Sequence, residues 1–294
     1  MEMHQLRYLL AVAKTGNFSR AAEQCHVSQP SLSQQIQKLE DELGEKLFSR
    51  LKRRAVLTTA GEVLVPRASR ILAEVDAARR DVADAANLLR GSVNLGVLPT
   101  IAPYLLPKIL VPLGRECPGI EVTIHENTTA QLLNMAAACE VDFALISLPI
   151  ADARFVQETL FSEELFLALP PGHRLAKKPR LALGDIGQER FILMKEGHCL
   201  GDQSLGFCER NGLSPRVVLR SAQLDTIQAL VLSGLGVSLI PAMACGAGTH
   251  DEPVYRSLTG TRPHRAIGLL WRKEHHHSKA AAELLRHLRK LRAK

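Results

Sequence analysis

Two cysteines stand close together in the stretch KEGHCLGDQSLGFC, which covers residues 195–208. A thiol reacts with an oxidant as its thiolate, and local charge sets how much thiolate is present. Lys195 and His198 lie just before Cys199, and a helix that begins near Gly201 would add a positive field close to the sulfur. These features favour a lowered pKa for the Cys199 thiol, and therefore redox chemistry.

The second cysteine, Cys208, follows nine positions later. If DQSLGFCER is helical, the two sulfurs are separated, because nine helical residues span roughly 13 Å. A disulfide needs Cα atoms no more than roughly 7 Å apart, so bridging requires part of the helix to unravel. Gly201 and Gly206 make that backbone permissive. The pair is therefore a candidate two-state redox switch, and the alternative is that both are small buried hydrophobes.

Length and composition set bounds on the whole chain. With 294 residues and 46% hydrophobic content, the chain can form two domains with full cores. The N-terminus lacks the features of a signal peptide, and no apolar run reaches the roughly 18 residues of a membrane helix, so we expect a soluble, cytoplasmic protein. No C-x-x-C pair occurs, which disfavours a zinc site. The other four cysteines are expected to be structural: Cys25, Cys117, Cys139 and Cys245.

The net charge of +7 is unevenly distributed. Residues 256–294 hold 11 Lys/Arg against 2 Asp/Glu, whereas residues 91–255 hold 12 against 17. The basic pI therefore reflects mainly the C-terminal tail, and a nucleic-acid function must rest on local motifs.

Such a motif occurs in NFSRAAEQCHVSQPSLSQQIQKLEDELG, residues 17–44, which predicts two short helices and a tight turn. Ser19 is expected to cap the first helix and Ser28 the second. The second helix has one apolar stripe, and its opposite face can donate to phosphates and base edges in a major groove. That face comprises Gln29, Ser31, Ser33, Gln34, Gln35 and Lys38, and Ser28 and Pro30 at the start of the helix are also expected at the DNA. The alternative is an ordinary helical hairpin with a solvated polar face.

A basic hairpin is predicted next, in LFSRLKRRAVLTTAG. Beside a helix-turn-helix it would be a wing that reaches flanking phosphates, although a basic cluster by itself is usually a solvated loop. Its basic residues are Arg50, Lys52, Arg53 and Arg54.

A long helix follows, with Thr59 and Glu62 as a capping box and Pro66 expected to kink or weaken its start. Apolar residues recur at alternating spacings of four and three, which favours packing against another helix and hence dimerisation. The stripe comprises Leu64, Ala68, Ile71, Val75, Ala78, Val82, Ala85 and Leu89.

These ninety residues resemble the DNA-binding region of LysR-type transcriptional regulators. The family pattern is carried here by Phe18, Ala21, Ala22, Cys25, Ser28, Gln29, Pro30, Ser33, Ile36, Leu39 and Glu40. The resemblance implies an all-α winged helix-turn-helix domain over residues 1–58 and a linker helix over 59–90. It also implies a homodimer, usually paired into a homotetramer, that binds double-stranded promoter DNA and acts with RNA polymerase.

Beyond residue 90, strands such as DFALISL and AIGLLWR alternate with helices, which predicts an α/β fold. The family resemblance implies that residues 91–294 form an α/β effector domain of two subdomains. Such domains are similar to periplasmic binding proteins and hold a ligand cleft between the subdomains.

The segment GHCLGDQSLGFC resembles the redox segment of the peroxide-sensing branch of the family, as do LPTIAPYLLP and HENTTAQLL. This resemblance implies that hydrogen peroxide is the effector, that Cys199 is the peroxidatic cysteine and that Cys208 is the resolving cysteine. It implies reduction by a thiol reductant of the thioredoxin or glutaredoxin type, with no cofactor or metal. The residues implied to position peroxide or water are Thr100, Thr129, His198 and Asp202.

Two other functions remain open from the sequence. A regulator of the same family would bind a small metabolite in its cleft, with silent cysteines. A thiol peroxidase would need no winged motif or heptad stripe, so we expect a regulator and not an enzyme. The three histidines His275–His277 are expected to form a solvated turn and not a metal site.

Overall fold

The computed structural model describes residues 1–51, 54–84, 90–246, 252–273 and 275–293. These residues fall into two compact units, each with its own hydrophobic core. The first unit comprises residues 1–84 with two short segments, Ala137–Glu140 and His275–Lys279, and the second comprises the remaining described residues. In the described part of the chain, no helix is both long enough and apolar enough to span a membrane.

The first unit is a winged helix-turn-helix followed by a long helix. Its apolar faces meet in one core that includes Leu9, Leu32 and Leu47. The two wing strands pair antiparallel, with Phe48 opposite Leu57. The elements are α1 (Met3–Thr15), α2 (Phe18–Gln24), α3 (Gln29–Leu43), β1 (Phe48–Leu51), β2 (Arg54–Leu57) and α4 (Thr59–Asp84). Lys52 and Arg53 lie outside the described residues.

Helix caps differ in part from the sequence prediction. Ser28 caps α3 as predicted. Asn17 caps α2 in place of Ser19, because its side chain accepts from two backbone N–H groups at 2.9 and 3.1 Å. Thr58 takes the place of Thr59 at α4, since its hydroxyl accepts a backbone N–H of the first turn at 3.1 Å. Both errors place the cap inside the helix, whereas a capping side chain belongs to the residue just before it.

Helix α4 is continuous through Pro66. Leu64, Ala68 and Ile71 pack on the core of the first unit, which holds this part of the helix despite the missing backbone donor. Three of the last stripe positions have no described side chain: Val82, Ala85 and Leu89. The described part of the helix ends at Asp84, and residue 90, its predicted last residue, is not helical.

The second unit contains a seven-stranded mixed sheet and a separate parallel pair. The large sheet has the order β10-β6-β11-β5-β3-β4, with β9 also paired to β6. Its strands are β3 (Gly91–Val97), β4 (Ile120–Glu126), β5 (Phe143–Leu148), β6 (Phe155–Leu169), β9 (Ser238–Pro241), β10 (Val254–Arg256) and β11 (His264–Arg272). The separate pair is β7 (Arg190–Met194) and β8 (Arg216–Ser221). The helices are α5 (Ala102–Glu116), α6 (Thr129–Ala137), α7 (Cys199–Arg210), α8 (Leu224–Leu232) and α9 (Lys279–Arg289).

One long strand, β6, joins the two halves of this unit. Its first part, residues 155–164, pairs with β11, and its last part, residues 165–169, pairs with β9 and β10. The predicted α/β fold is therefore confirmed, with β6 as a strand that crosses between two groups of elements.

The topology sets the position of two threonines. Strands β3 and β4 are parallel neighbours, so their carboxyl ends lie at the same edge of the sheet. Thr100 follows β3, and Thr129 begins α6 after β4. Loops at the carboxyl ends of parallel strands are the usual place for ligands in open α/β sheets.

Candidate functional site

Both cysteines of the predicted switch lie on one helix, α7. Cys199 is its first residue and follows the capping residue His198, whose side chain makes no capping hydrogen bond. Cys208 lies near its other end, roughly 13 Å away along an intact helix. All six cysteines of the chain are free thiols, so the structure shows the separated form of the pair.

The surroundings of Cys199 act on its thiol in opposite directions. Burial raises the pKa of Cys199, and the charge of Asp202 raises it further. The Thr129 hydroxyl, the positive charge of Arg265 and the backbone N–H of Leu200 lower it, but burial outweighs them. The oxygen Thr129 Oγ1 is itself buried and has no hydrogen bond of good geometry within the described residues.

The sequence prediction of a lowered pKa for Cys199 is therefore wrong in this structure. Lys195 is exposed, where water screens its charge, whereas the sulfur is half-buried at the start of the helix. The thiol is protonated at neutral pH, and the nearby groups that favour the thiolate limit the effect of burial.

A buried arginine ties Thr100 to the sheet. Arg265 Nη1 donates to Thr100 Oγ1 at 3.0 Å, and Nη2 donates to the Thr100 carbonyl at 3.2 Å. Arg265 Nε donates to Glu163 Oε1 at 2.7 Å, and the other oxygen of Glu163 accepts from the backbone N–H of Met243 at 2.9 Å. Arg265 and Glu163 stand opposite each other on β11 and β6, so this ion pair is fully enclosed.

A second polar contact joins α7 to the sheet. Gln203, four residues after Cys199, donates from Nε2 to Ser147 Oγ on β5 at 2.7 Å. Its other amide atom, Oε1, is buried and has no hydrogen-bond partner among the described residues. This hydrogen bond from Gln203 therefore holds the first turns of α7 against strand β5.

Cys208 has an apolar setting. It is 1% exposed and belongs to the hydrophobic core together with Phe207. Burial raises the pKa of Cys208 to about 11. The reduced form therefore keeps this thiol protonated and out of reach of solvent.

The structure brings together most of the predicted redox residues. Thr129 and Asp202 act on Cys199 directly, Thr100 is linked to it through Arg265, and His198 precedes it in the chain. Sequence reasoning missed Gln203 on α7 itself. It also missed three polar residues that the fold supplies from distant strands: Ser147, Glu163 and Arg265. Ser147 interrupts the otherwise apolar stretch FALISL, which is the signal that the sequence offered for it.

The predicted DNA-binding face lies on α3. Six of its residues are exposed: Ser28, Gln29, Pro30, Ser31, Gln34 and Lys38. Ser33 and Gln35 are half-buried, and Gln35 Oε1 accepts from Gln5 on α1 at 3.3 Å. The side-chain oxygen of Gln35 is thus used in a contact between α3 and α1. Of the predicted wing residues, Arg50 and Arg54 lie on β1 and β2, and their side chains are outside the described set.

A buried glutamate, Glu40, fixes the start of the wing. Glu40 Oε1 accepts from the backbone N–H groups of Leu47 at 2.9 Å and Phe48 at 3.3 Å. Lys46 pairs with its other oxygen at 2.9 Å. The end of α3 and the first wing strand are therefore joined by one carboxylate.

One group of side chains has the composition of a metal site. The ligand atoms of Glu116, Glu283 and His287 lie within 4.8 Å of one another. Arg286 donates to both carboxylates, at 2.9 Å for Glu116, and Lys290 lies 3.4 Å from Glu116. Because these cations already neutralise the carboxylates, we assign the group as an ion-pair network that joins α5 and α9.

The predicted solvated histidine turn is only partly right. His276 is exposed, but His275 and His277 are half-buried, and their rings are in edge contact with centroids 5.4 Å apart. The four cysteines outside α7 are buried or half-buried, as expected for structural residues.

Comparison with known proteins gives the family. The LysR substrate binding domain matches residues 86–293, and the bacterial regulatory helix-turn-helix of the lysR family matches residues 3–62. The chain belongs to the LysR family of transcriptional regulators. This LysR-type chain is 36% identical over 273 residues to the hydrogen peroxide-inducible genes activator of Pectobacterium carotovorum, covering 92% of the chain and 90% of the relative.

Solved LysR-type structures extend the comparison. Full-length OxyR from Pseudomonas aeruginosa, a cysteine-to-aspartate variant, has a TM-score of 0.78 at 32% identity and covers 99% of this chain and 94% of its own. Full-length CbnR in complex with its target DNA has a TM-score of 0.70 at 26% identity and covers 99% of this chain and 100% of its own. The predicted LysR-type architecture, a helix-turn-helix domain followed by an α/β substrate-binding domain, is confirmed.

Proposed function

We propose that this LysR-type regulator senses hydrogen peroxide through Cys199 and Cys208. The observation that carries the proposal is the placement of both thiols on one helix, with Cys199 beside the unsatisfied hydroxyl of Thr129. The name of the Pectobacterium relative, an activator of peroxide-inducible genes, supports the same function.

In the first step, peroxide enters the site and Thr129 Oγ1 forms a hydrogen bond with it. The Cys199 sulfur, as thiolate, attacks one peroxide oxygen and the O–O bond breaks. The departing oxygen takes up the proton that the thiol has lost and leaves as water. The sulfur is oxidised by two electrons and becomes a sulfenic acid.

In the second step, α7 opens and the Cys208 sulfur attacks the Cys199 sulfenic acid. The S–O bond breaks, water leaves, and a disulfide forms. A dithiol reductant of the thioredoxin or glutaredoxin type reverses this step, because its two thiols become a disulfide as Cys199 and Cys208 become thiols again.

The signal passes from α7 to DNA through the oligomer. Cys208 belongs to the core of the second unit, so drawing it toward Cys199 changes the packing there. The exposed face of α3 binds promoter DNA, and the stripe of α4 forms a dimer that pairs into a tetramer. A changed arrangement of the effector domains alters the spacing of the recognition helices and the contact with RNA polymerase.

The test is peroxide-dependent binding to promoter DNA and transcription in vitro. Wild type is expected to change its DNA footprint after peroxide, and Cys199→Ser is expected to bind DNA without any change. Cys139→Ser, which replaces a half-buried cysteine outside α7, is the matched control and is expected to respond like wild type. An unchanged peroxide response in Cys199→Ser would contradict the proposal.

One observation favours a second candidate, a regulator that binds a metabolite. A cavity of about 530 Å³ adjoins α7 and is lined by the amide of Gln203 and by the basic residues Arg210, Arg262 and His264, a set suited to an anion. For this function the cysteines are silent, so Cys199→Ser keeps its full transcriptional response to the metabolite and wild type does not respond to peroxide.

A further inference from the structure

One serine in the sheet bonds to the helix that carries both cysteines. Strand β5 is buried along its whole length, and Ser147, 4% exposed, is the polar residue in FALISL. Ser147 Oγ lies 3.3 Å from the carbonyl of Ala266 on β11 and 2.7 Å from Nε2 of Gln203. Burying a polar group costs free energy unless the group is hydrogen-bonded. The two hydrogen bonds of Ser147 offset this cost.

The proton count fixes how the Gln203 amide is oriented. A serine hydroxyl has one proton, and the Ala266 carbonyl can only accept. The hydroxyl therefore donates to Ala266 and accepts from the Gln203 NH₂ group. The assignment leaves Gln203 Oε1 as the buried acceptor without a partner among the described residues.

Gln203 lies between the two cysteines, so its bond to Ser147 is affected when the disulfide forms. Gln203 lies four residues after Cys199 and five before Cys208. A disulfide requires Cα atoms within roughly 7 Å, so the backbone between the cysteines must leave the helix. Gln203 moves with that backbone, and the bond to Ser147 in the rigid centre of the sheet is lost.

We propose that Ser147 is a positioning residue for the Cys199–Cys208 reaction, which holds α7 in its helical, dithiol form through Gln203. The inference rests on the proposed function. A contact that exists in the dithiol form and is lost in the disulfide form stabilises the dithiol form alone. The full free energy of that contact therefore shifts the equilibrium toward the dithiol. Removing it therefore favours the disulfide without any change at either sulfur.

The test is the thiol–disulfide equilibrium of the full-length protein in buffers of reduced and oxidised glutathione. Two glutathione thiols reduce the protein disulfide and become glutathione disulfide, so the ratio of protein forms gives the equilibrium constant. We expect Ser147→Ala to shift this constant toward the disulfide by roughly 3- to 10-fold, the effect of one hydrogen bond. A general loss of stability that affects both forms equally would leave the constant unchanged.

The chain offers a matched control. Ser162, at an exposed position on β6, donates to the Arg265 carbonyl of β11 at 3.3 Å, which is also a bond from a serine hydroxyl to a backbone carbonyl of that strand. Ser162→Ala is expected to leave the constant at the wild-type value. Gln203→Leu is expected to shift it as Ser147→Ala does, and the double variant is expected to show no further shift, because the two residues act through one bond.

The outcomes separate the inference from the proposed function. A wild-type protein that forms no Cys199–Cys208 disulfide at any glutathione ratio contradicts the proposed function and the inference together. A disulfide that forms with equal constants in wild type and Ser147→Ala overturns the inference alone. The inference is also overturned if Ser147→Ala shifts the equilibrium constant as much in the Gln203→Leu variant as in wild type. The serine would then act independently of Gln203.

Discussion

Cys199 rests as a protonated thiol because burial outweighs the groups that favour its thiolate. The sequence showed the neighbouring charges but not the burial, because burial is produced by strands and helices from distant parts of the chain.

The raised pKa predicts how the reactivity of Cys199 depends on pH. Below the pKa, the thiolate fraction rises tenfold per pH unit, so alkylation of Cys199 by iodoacetamide is expected to increase about tenfold per unit from pH 6 to pH 8. The measurement is the alkylated fraction of the tryptic peptide that contains Cys199, followed over time. A plateau in the rate below pH 7 would show a lowered pKa and contradict the account.

Thr129 contributes to this balance in a way that can be measured. Its hydroxyl lowers the pKa of Cys199, so Thr129→Val is expected to raise that pKa and slow alkylation at pH 8 roughly tenfold, because the hydroxyl can no longer donate to the thiolate as it forms. Thr123→Val, at an exposed position on β4, is the control and should react at the wild-type rate. Equal rates in the two variants would remove Thr129 from the site.

At the scale of elements, the two glycines of α7 have different roles. One is required for packing, and the other lowers the stability of the helix. A Cβ at Gly201 would lie 2.8 Å from the Met194 carbonyl, so the helix can approach β7 only with glycine there. A Cβ at Gly206 would meet only the flexible end of Arg210, at 3.1 Å. Gly206 therefore lowers the helical propensity of α7 without a comparable packing reason.

Strengthening α7 is expected to oppose disulfide formation. Gly206→Ala gains up to about 1 kcal/mol of helix stability, so the glutathione equilibrium is expected to move toward the dithiol by roughly 3- to 5-fold. Gly114→Ala makes the same change in α5, where a Cβ meets open space, and should leave the equilibrium unchanged. A shift of equal size in both variants would mean that the effect does not arise in α7.

Arg265 joins three elements, β11, β6 and the segment before α5, through Glu163 and Thr100. Arg265→Met leaves Glu163 buried without its cation, so the free energy of unfolding is expected to fall by about 3–5 kcal/mol. The double variant with Glu163→Gln removes the stranded charge and is expected to be more stable than the single variant in urea unfolding. A loss below about 1 kcal/mol in the single variant would contradict the assigned role of the pair.

For the whole molecule, the features that could be predicted from the sequence are those that local residue patterns determine. The helix-turn-helix, the basic hairpin and the long amphipathic helix each follow from spacings within a few turns, and the structure contains all three. The length of β6 and the pairing of Arg265 with Glu163 were not predicted, because they depend on which strands become neighbours. The pairing of Gln203 with Ser147 has the same origin, since 56 residues separate them.

The stripe of α4 divides at Val75. Up to Ile71 its apolar residues pack on the core of their own unit, whereas Val75 does not belong to that core and is half-buried. We expect Val75 to meet a second copy of α4, so Val75→Glu should weaken subunit association at least tenfold in sedimentation equilibrium. Glu74→Gln, at an exposed neighbouring position, is the control. Unchanged association in Val75→Glu would place the dimer interface elsewhere.

The central claim is that peroxide joins two thiols that an intact helix holds apart. Trypsin cleaves after Lys195 and Arg210, so both cysteines fall in one peptide, residues 196–210. The most direct measurement is the mass of this peptide after thiol trapping, before and after a brief low dose of peroxide. We expect two trapped thiols before treatment and, afterwards, an untrapped peptide two hydrogen atoms lighter than the dithiol, which a thioredoxin-type reductant restores. A peptide that keeps two trappable thiols after peroxide, or that already holds the disulfide before treatment, would contradict the account.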